Sequence, residues 1–150
     1  MSTDKYYTFN SYMNINGMSA SEEDYLEMIY RMCVKNGGYT RVNDIACYLH
    51  VKPPSVTKMV KRLSESDIID YKRYGLIKLT DKGIELGKFL VYRHNTVKEF
   101  LRLVNVEQNL HEETEKMEHT ITESTLEGLK KITEFFKSNP EILKKFESTS

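Results

Sequence analysis

Residues 42–79 admit few architectures. Val42, Ile45, Ala46 and Leu49 recur at i, i+3, i+4 and i+7, the spacing of a short amphipathic helix. His50-Val51-Lys52 is then a tight connection, and Pro53-Pro54 opens a second helix, where proline suits the first turn. Val56, Met59, Val60 and Leu63 form its apolar stripe. Ile68-Ile69-Asp70-Tyr71 and Leu76-Ile77-Lys78-Leu79 follow as two strand-like runs, joined by the basic, aromatic turn Lys72-Arg73-Tyr74-Gly75. Two short helices across a three-residue turn, followed at once by a hairpin, predict a winged helix-turn-helix with a two-stranded β wing.

The outer arc of the second helix carries Pro53, Pro54, Ser55, Thr57, Lys58, Lys61 and Arg62. Small hydroxyl and apolar groups at a helix N-terminus suit base edges in a major groove, and the lysines and arginine beyond them suit phosphates. Lys72, Arg73 and Tyr74 at the wing tip would lie along the backbone or minor groove. Taken alone, the helix also fits an ordinary solvated basic face. The hairpin shifts the balance, because a plain helix-turn-helix has no need of it.

Net charge does not oppose this reading. The 150 residues sum to +0, from 22 basic and 22 acidic side chains, but the charge is segregated. Residues 52–78 are mostly basic and residues 107–127 mostly acidic, a basic module followed by an acidic one. The length allows one large domain or two small ones. A hydrophobic share of 39% and a charged share of 29% are ordinary for a soluble globular protein. No apolar run approaches the roughly 20 residues of a bilayer span, and residues 1–20 lack the pattern of a secretory signal. A cytoplasmic protein with no membrane partner is expected. Cys33 and Cys47 are not in a CxxC arrangement and read as buried, reduced thiols.

Around this module the chain reads as helical. Residues 1–20 lack a sustained period and predict a flexible tail, with Met18 a candidate start just before the first helix. Ser21 is the expected N-cap of that helix, whose stripe is Leu26, Ile29, Tyr30, Cys33 and Val34 and whose stop is Gly37-Gly38. Thr80 caps a long helix from about Asp81 to about Val104, apolar on more than one face, which argues for a dimer interface. Asn105-Val106-Glu107 breaks it. A helix from about Gln108 to Ile121 follows, then a last amphipathic helix through Leu126, Leu129, Ile132, Phe135 and Phe136, stopped by Asn139-Pro140. The expected organisation is a tail over 1–20, a winged helix over 21–80, a helical metal-binding and dimerisation domain over 81–140, and a frayed tail over 141–150.

Thr114–Thr120 places Glu115, Glu118 and His119 at i, i+3 and i+4, one face of a helix. Two carboxylates and an imidazole on one stripe are metal donors in search of partners. Asp24 and Glu27, another acidic pair at i, i+3, and His94 in the long helix are the proposed partners. Each has an ordinary reading by itself: the acids complement a helix dipole, and a lone helical histidine is usually a hydrogen-bonded core residue.

Five separated stretches carry a family resemblance: Ser21-Glu22-Glu23-Asp24-Tyr25-Leu26-Glu27, Pro54-Ser55-Val56-Thr57-Lys58-Met59-Val60, Leu79-Thr80-Asp81-Lys82-Gly83, Leu90-Val91-Tyr92-Arg93-His94 and Met117-Glu118-His119. In order and spacing, over about residues 19–138, the chain resembles the diphtheria toxin repressor family of metal-dependent transcription regulators, and within it the manganese transport regulator branch. The resemblance implies a mainly α protein: an N-terminal winged helix-turn-helix followed by an α-helical dimerisation domain. It implies a homodimer that binds palindromic operators in double-stranded DNA when loaded with metal, typically repressing manganese uptake genes. It also implies that Asp24, Glu27, His94, Glu115, Glu118 and His119 are the metal ligands, lying between the two domains. His111, four residues before Glu115, matches no ligand of the family and reads as a surface residue.

The iron-responsive branch has Met where this chain has Asp24 and Cys where it has Glu115. Carboxylates in place of both sulfur donors suit Mn²⁺, a fairly hard ion. Six ligands exceed one octahedral site once waters and backbone carbonyls are counted, so two Mn²⁺ per subunit are expected, with Fe²⁺, Zn²⁺ or Cd²⁺ as substitutes. The rival readings are an iron- or zinc-responsive repressor of the same family, a carboxylate-bridged di-metal enzyme, and a winged-helix regulator of an organic ligand. The enzymes typically use two Glu-x-x-His repeats; here Glu-x-x-Glu-His occurs once. No catalytic residue and no organic substrate is expected.

Overall fold

The computed structural model describes residues 17–72 and 75–149. They fall into two compact units, 17–91 and 92–149, the division lying inside one long helix. The wing-tip residues Arg73 and Tyr74, and all but the end of the tail expected over 1–20, lie outside the described residues.

The N-terminal unit begins with α1, Ala20–Lys35. Its N-cap is Ser19 rather than Ser21. The Glu22 N–H donates to Ser19 Oγ and the Ser19 N–H donates to Glu22 Oε2, each at 3.2 Å, a reciprocal capping box. Ser21 lies in the first turn, and Met18, placed in the tail by the sequence, is buried in the core. Leu26, Ile29, Met32 and Cys33 face that core, but Val34 is exposed. Gly37 and Gly38 turn the chain with φ of 75° and 106°, conformations that only glycine adopts cheaply.

Strand β1 (Thr40–Arg41) leads into α2 (Val42–Leu49), which buries Ile45 and Ala46. His50, left-handed at φ 54°, ends α2, and α3 (Pro53–Glu65) starts with proline at its first turn. Val56, Val60 and Leu63 close the core from α3. The hairpin follows as β2 (Ile69–Lys72) and β3 (Leu76–Leu79), paired antiparallel with Tyr71 opposite Ile77. The hairpin is the expected two-stranded wing, and Thr40 and Arg41 add a third strand by pairing with Ile77 and Leu76, giving the order β1-β3-β2. Two residues are too few to show a strand period, so the sequence does not reveal β1.

Helix α4 (Asp81–Leu103) is the predicted long helix. The Thr80 hydroxyl accepts from the Gly83 N–H at 3.1 Å and lies 2.7 Å from the Asp67 carbonyl, fastening the helix start to the hairpin. Two glycines set how closely α4 approaches its neighbours. A Cβ on Gly83 would collide with the Ile68 carbonyl, and one on Gly87 would lie 2.6 Å from the Tyr30 ring. Both sites demand the bare backbone.

The C-terminal unit contains the second half of α4, then α5 (Leu110–Glu118), α6 (Glu123–Ser138) and α7 (Pro140–Glu147). Left-handed Asn105 and Asn109, at φ 62° and 58°, frame the break between α4 and α5. Thr122 caps α6 by accepting from the Thr125 N–H at 3.2 Å. Val97, Leu101 and Leu126 are buried, while Ile132, Phe135, Ile142 and Phe146 are exposed. The segment expected to fray over 141–150 is mostly helix: Pro140 stops α6 but also occupies the first turn of α7, where its missing N–H is harmless. Cys33 is buried as expected and Cys47 is exposed, at odds with its expected burial, because α2 turns only Ile45 and Ala46 inward. Among the described residues no helix is long and apolar enough to cross a membrane.

Candidate metal centre and nucleic-acid interface

Helix α5 supplies Glu115 and Glu118, and His119, its C-cap, keeps right-handed helical angles, so all three side chains share one face. The His94 imidazole meets them from α4. His94 Nδ1 lies 3.2 Å from Glu115 Oε1 and 3.2 Å from Glu118 Oε1. His119 Nε2 stands 3.9 Å from Glu115 Oε2 and 4.0 Å from Glu118 Oε1. His94, Glu118 and His119 are buried, and Glu115 is half-buried. His119 and then His94 hold the Glu115 carboxyl well below the usual carboxylate range, against the opposing effect of its partial burial.

The side chain of His111, expected at the surface, is exposed. Its Nε2 nevertheless lies 3.9 Å from Glu115 Oε1, and its ring centroid is 5.9 Å from that of His94. His94, His111 and Glu115 each offer a ligand atom within 4.8 Å of the others. The i, i+4 spacing of His111 and Glu115 was the available signal.

Arg93, which the sequence marks only as part of the stretch Leu90–His94, joins the cluster. It is 1% exposed, with Nη2 3.2 Å from His119 Nδ1 and Nε 3.9 Å from Glu118 Oε2.

In the N-terminal unit, Asp24 is exposed on α1 and Glu27 is half-buried one turn further on. Glu27 Oε2 accepts from Arg31 Nε at 3.1 Å. The donor set of the proposed ligands is carboxylate and imidazole throughout, with no thiolate, which fits a divalent cation of intermediate or hard character.

Helix α3 presents Pro53, Pro54, Ser55, Lys58, Lys61 and Arg62 to solvent. Thr57 is half-buried and its hydroxyl donates to the Pro53 carbonyl at 3.2 Å. Arg62 Nη2 is 3.2 Å from Glu22 Oε1, and Lys72 Nζ is 3.6 Å from Asp70 Oδ2. Both cations are exposed, so such pairs are weak and phosphate can compete for them.

A winged helix with a basic outer helix, on the same chain as a buried carboxylate–imidazole cluster, defines the class of metal-dependent DNA-binding transcription regulators. Residues 17–77 match the family description "Iron dependent repressor, N-terminal DNA binding domain", and residues 80–147 match "Iron dependent repressor, metal binding and dimerisation domain". The chain belongs to this iron dependent repressor family. It is 39% identical over 130 residues to the HTH-type transcriptional regulator MntR of Lysinibacillus sphaericus (strain C3-41), covering 86% of this chain and 93% of that one. It is 42% identical over 120 residues to MntR of Shouchella clausii (strain KSM-K16), covering 79% of this chain and 83% of that one. The solved structure of the manganese regulator SloR superposes with a TM-score of 0.65 at 30% identity. That match covers 76% of this chain but 54% of SloR, so this chain spans about half the length of that solved relative. The relatives are transcription regulators, and the chain is a regulator rather than an enzyme.

Proposed function

We propose that the chain is a manganese-responsive repressor, acting in the cytoplasm as a homodimer on palindromic operators of manganese uptake genes. The observation that carries the reading is His94 Nδ1 standing 3.2 Å from both Glu115 and Glu118 in a buried, thiol-free cluster. Asp24 and Glu27 complete the ligand set with His94, Glu115, Glu118 and His119, and six ligands serve two Mn²⁺ per subunit. Bound metal would supply the positive charge that four carboxylates lack. Without it those carboxylates repel one another. Once neutralised they hold the two reading heads of the dimer at one spacing, and DNA binding then requires less ordering.

On the DNA side, Pro53, Pro54, Ser55 and Thr57 approach base edges, and Lys58, Lys61 and Arg62 contact phosphates. Lys72, Arg73 and Tyr74 of the wing contact the backbone. Moving the regulator from about 1% to about 99% active needs about 5.5 kcal/mol of differential metal binding. Because coupling is reciprocal, operator DNA tightens metal binding by the same factor.

The test is binding of an operator fragment titrated separately with Mn²⁺, Fe²⁺, Zn²⁺ and Cd²⁺. Strongest activation by Mn²⁺ is expected. Strongest activation by Fe²⁺ or Zn²⁺ would reassign the regulator within its family, and operator binding indifferent to every metal would end the reading.

A further inference from the structure

We infer that Arg93 is a built-in cation that holds the place of the metal's charge in the unloaded centre and must release His119 when metal binds. The inference rests on the reading of this cluster as a metal centre. The relevant contacts lie within the C-terminal unit. Glu118 is 0% exposed, and its two oxygens face different partners: Oε1 lies 3.2 Å from His94 Nδ1, and Oε2 lies 3.9 Å from Arg93 Nε. A buried carboxylate without a counter-charge is strongly destabilising. The Arg93 guanidinium beside Oε2 supplies that counter-charge.

The second contact makes the arrangement competitive. Arg93 Nη2 lies 3.2 Å from His119 Nδ1. A guanidinium only donates hydrogen bonds, so the ring nitrogen facing it must accept. A neutral imidazole that binds metal through one nitrogen carries its proton on the other. Metal on Nε2 would therefore set an N–H on Nδ1 against the guanidinium, donor against donor. Metal on Nδ1 would need the lone pair that Arg93 already holds. Either way the Arg93–His119 contact is lost on loading. A second positive charge also enters beside the first, and the two repel in a buried setting. Arg93 thus stabilises the metal-free protein and weakens its affinity for metal, raising the concentration at which the centre fills.

The experiment compares the full chain with Arg93→Met and Arg93→Lys. It measures the thermal midpoint in chelator and in saturating Mn²⁺, and the Mn²⁺ dissociation constant by calorimetry without DNA. Arg93→Met is expected to melt lower than the wild type in chelator, to regain most of the deficit in Mn²⁺, and to bind Mn²⁺ about tenfold tighter. Arg93→Lys, whose shorter side chain withdraws the charge from His119, is expected to bind at least about twofold tighter. Equal or weaker Mn²⁺ binding by Arg93→Met, or a deficit as large in Mn²⁺ as in chelator, overturns the inference. If Arg93→Met does not fold under either condition, Arg93→Lys decides, and unchanged or weaker binding by it is the overturning result. Failure of the wild type to bind Mn²⁺ would instead remove the metal centre itself, a different outcome from a wild type that binds and variants that bind no better.

Discussion

His94 Nδ1 and Glu118 Oε1 stand 3.2 Å apart across 24 residues of sequence, joining α4 to α5 inside the C-terminal unit. Glu115 Oε1 reaches the same nitrogen at the same distance, so one imidazole gathers two carboxylates. The cluster can be probed most cleanly at Glu115, the one member that is only half-buried.

Glu115→Ala should abolish Mn²⁺-stimulated operator binding while the protein remains a folded dimer. Fluorescence anisotropy with a labelled operator and size-exclusion chromatography measure the two halves of this statement. Full Mn²⁺ dependence in the mutant would mean that Glu115 is not a ligand.

The same residue gives the metal-free protein a pH dependence. The folded carboxyl titrates below its ordinary value of 4.5, chiefly because of His119 and then His94. A lowered folded pKa contributes stability that is fully present above the unfolded value and is lost as pH falls through the folded one. In chelator, the thermal midpoint of the wild type should therefore fall below pH 4.5 more steeply than that of Glu115→Gln. Parallel curves would show that the histidines do not favour the ionised carboxyl.

Two glycine-to-alanine changes should have opposite signs. Gly87→Ala places a methyl 2.6 Å from Tyr30, and should destabilise by about 1–3 kcal/mol through overpacking. Gly128 lies in α6 with nothing within 4 Å of a built Cβ, so Gly128→Ala should stabilise by about 0.5–1 kcal/mol. Urea denaturation of each variant checks both signs.

Lys58→Ala and Lys61→Ala should weaken operator binding about equally for all sequences. Each should reduce the slope of log affinity against log salt by about 1, with Mn²⁺ affinity in the absence of DNA unchanged. An unaltered salt slope in the double mutant would remove α3 from the interface.

How much of the fold and of the cluster is legible in the sequence follows from the range of each signal. The stripe of Val56, Val60 and Leu63 is local, and helical spacing suffices to turn it inward. Glu115, Glu118 and His119 share a face for the same reason. The approach of His94 to them is tertiary and carries no periodicity. Ser19 displaced Ser21 as the cap because a reciprocal pair with Glu22 outweighs a single favourable residue type. Pro140 reads as a stop, though a proline that ends one helix can begin the next. The role of Arg93 is not legible in the sequence because burial of a cation shows only when its neighbours do.

Strand β1 has a consequence for how the protein tolerates crowding by its own kind. Thr40 and Arg41 occupy the side of β3 that a bare hairpin would present to any passing chain. The opposite rim of the sheet is β2, four residues long with Asp70 and Lys72 exposed along it. Short, charged rims are poor templates for strand addition, and a sealed inner strand offers none. Two residues thus insulate the hairpin from cross-β recruitment, the hazard that follows whenever a small sheet must stand at a surface.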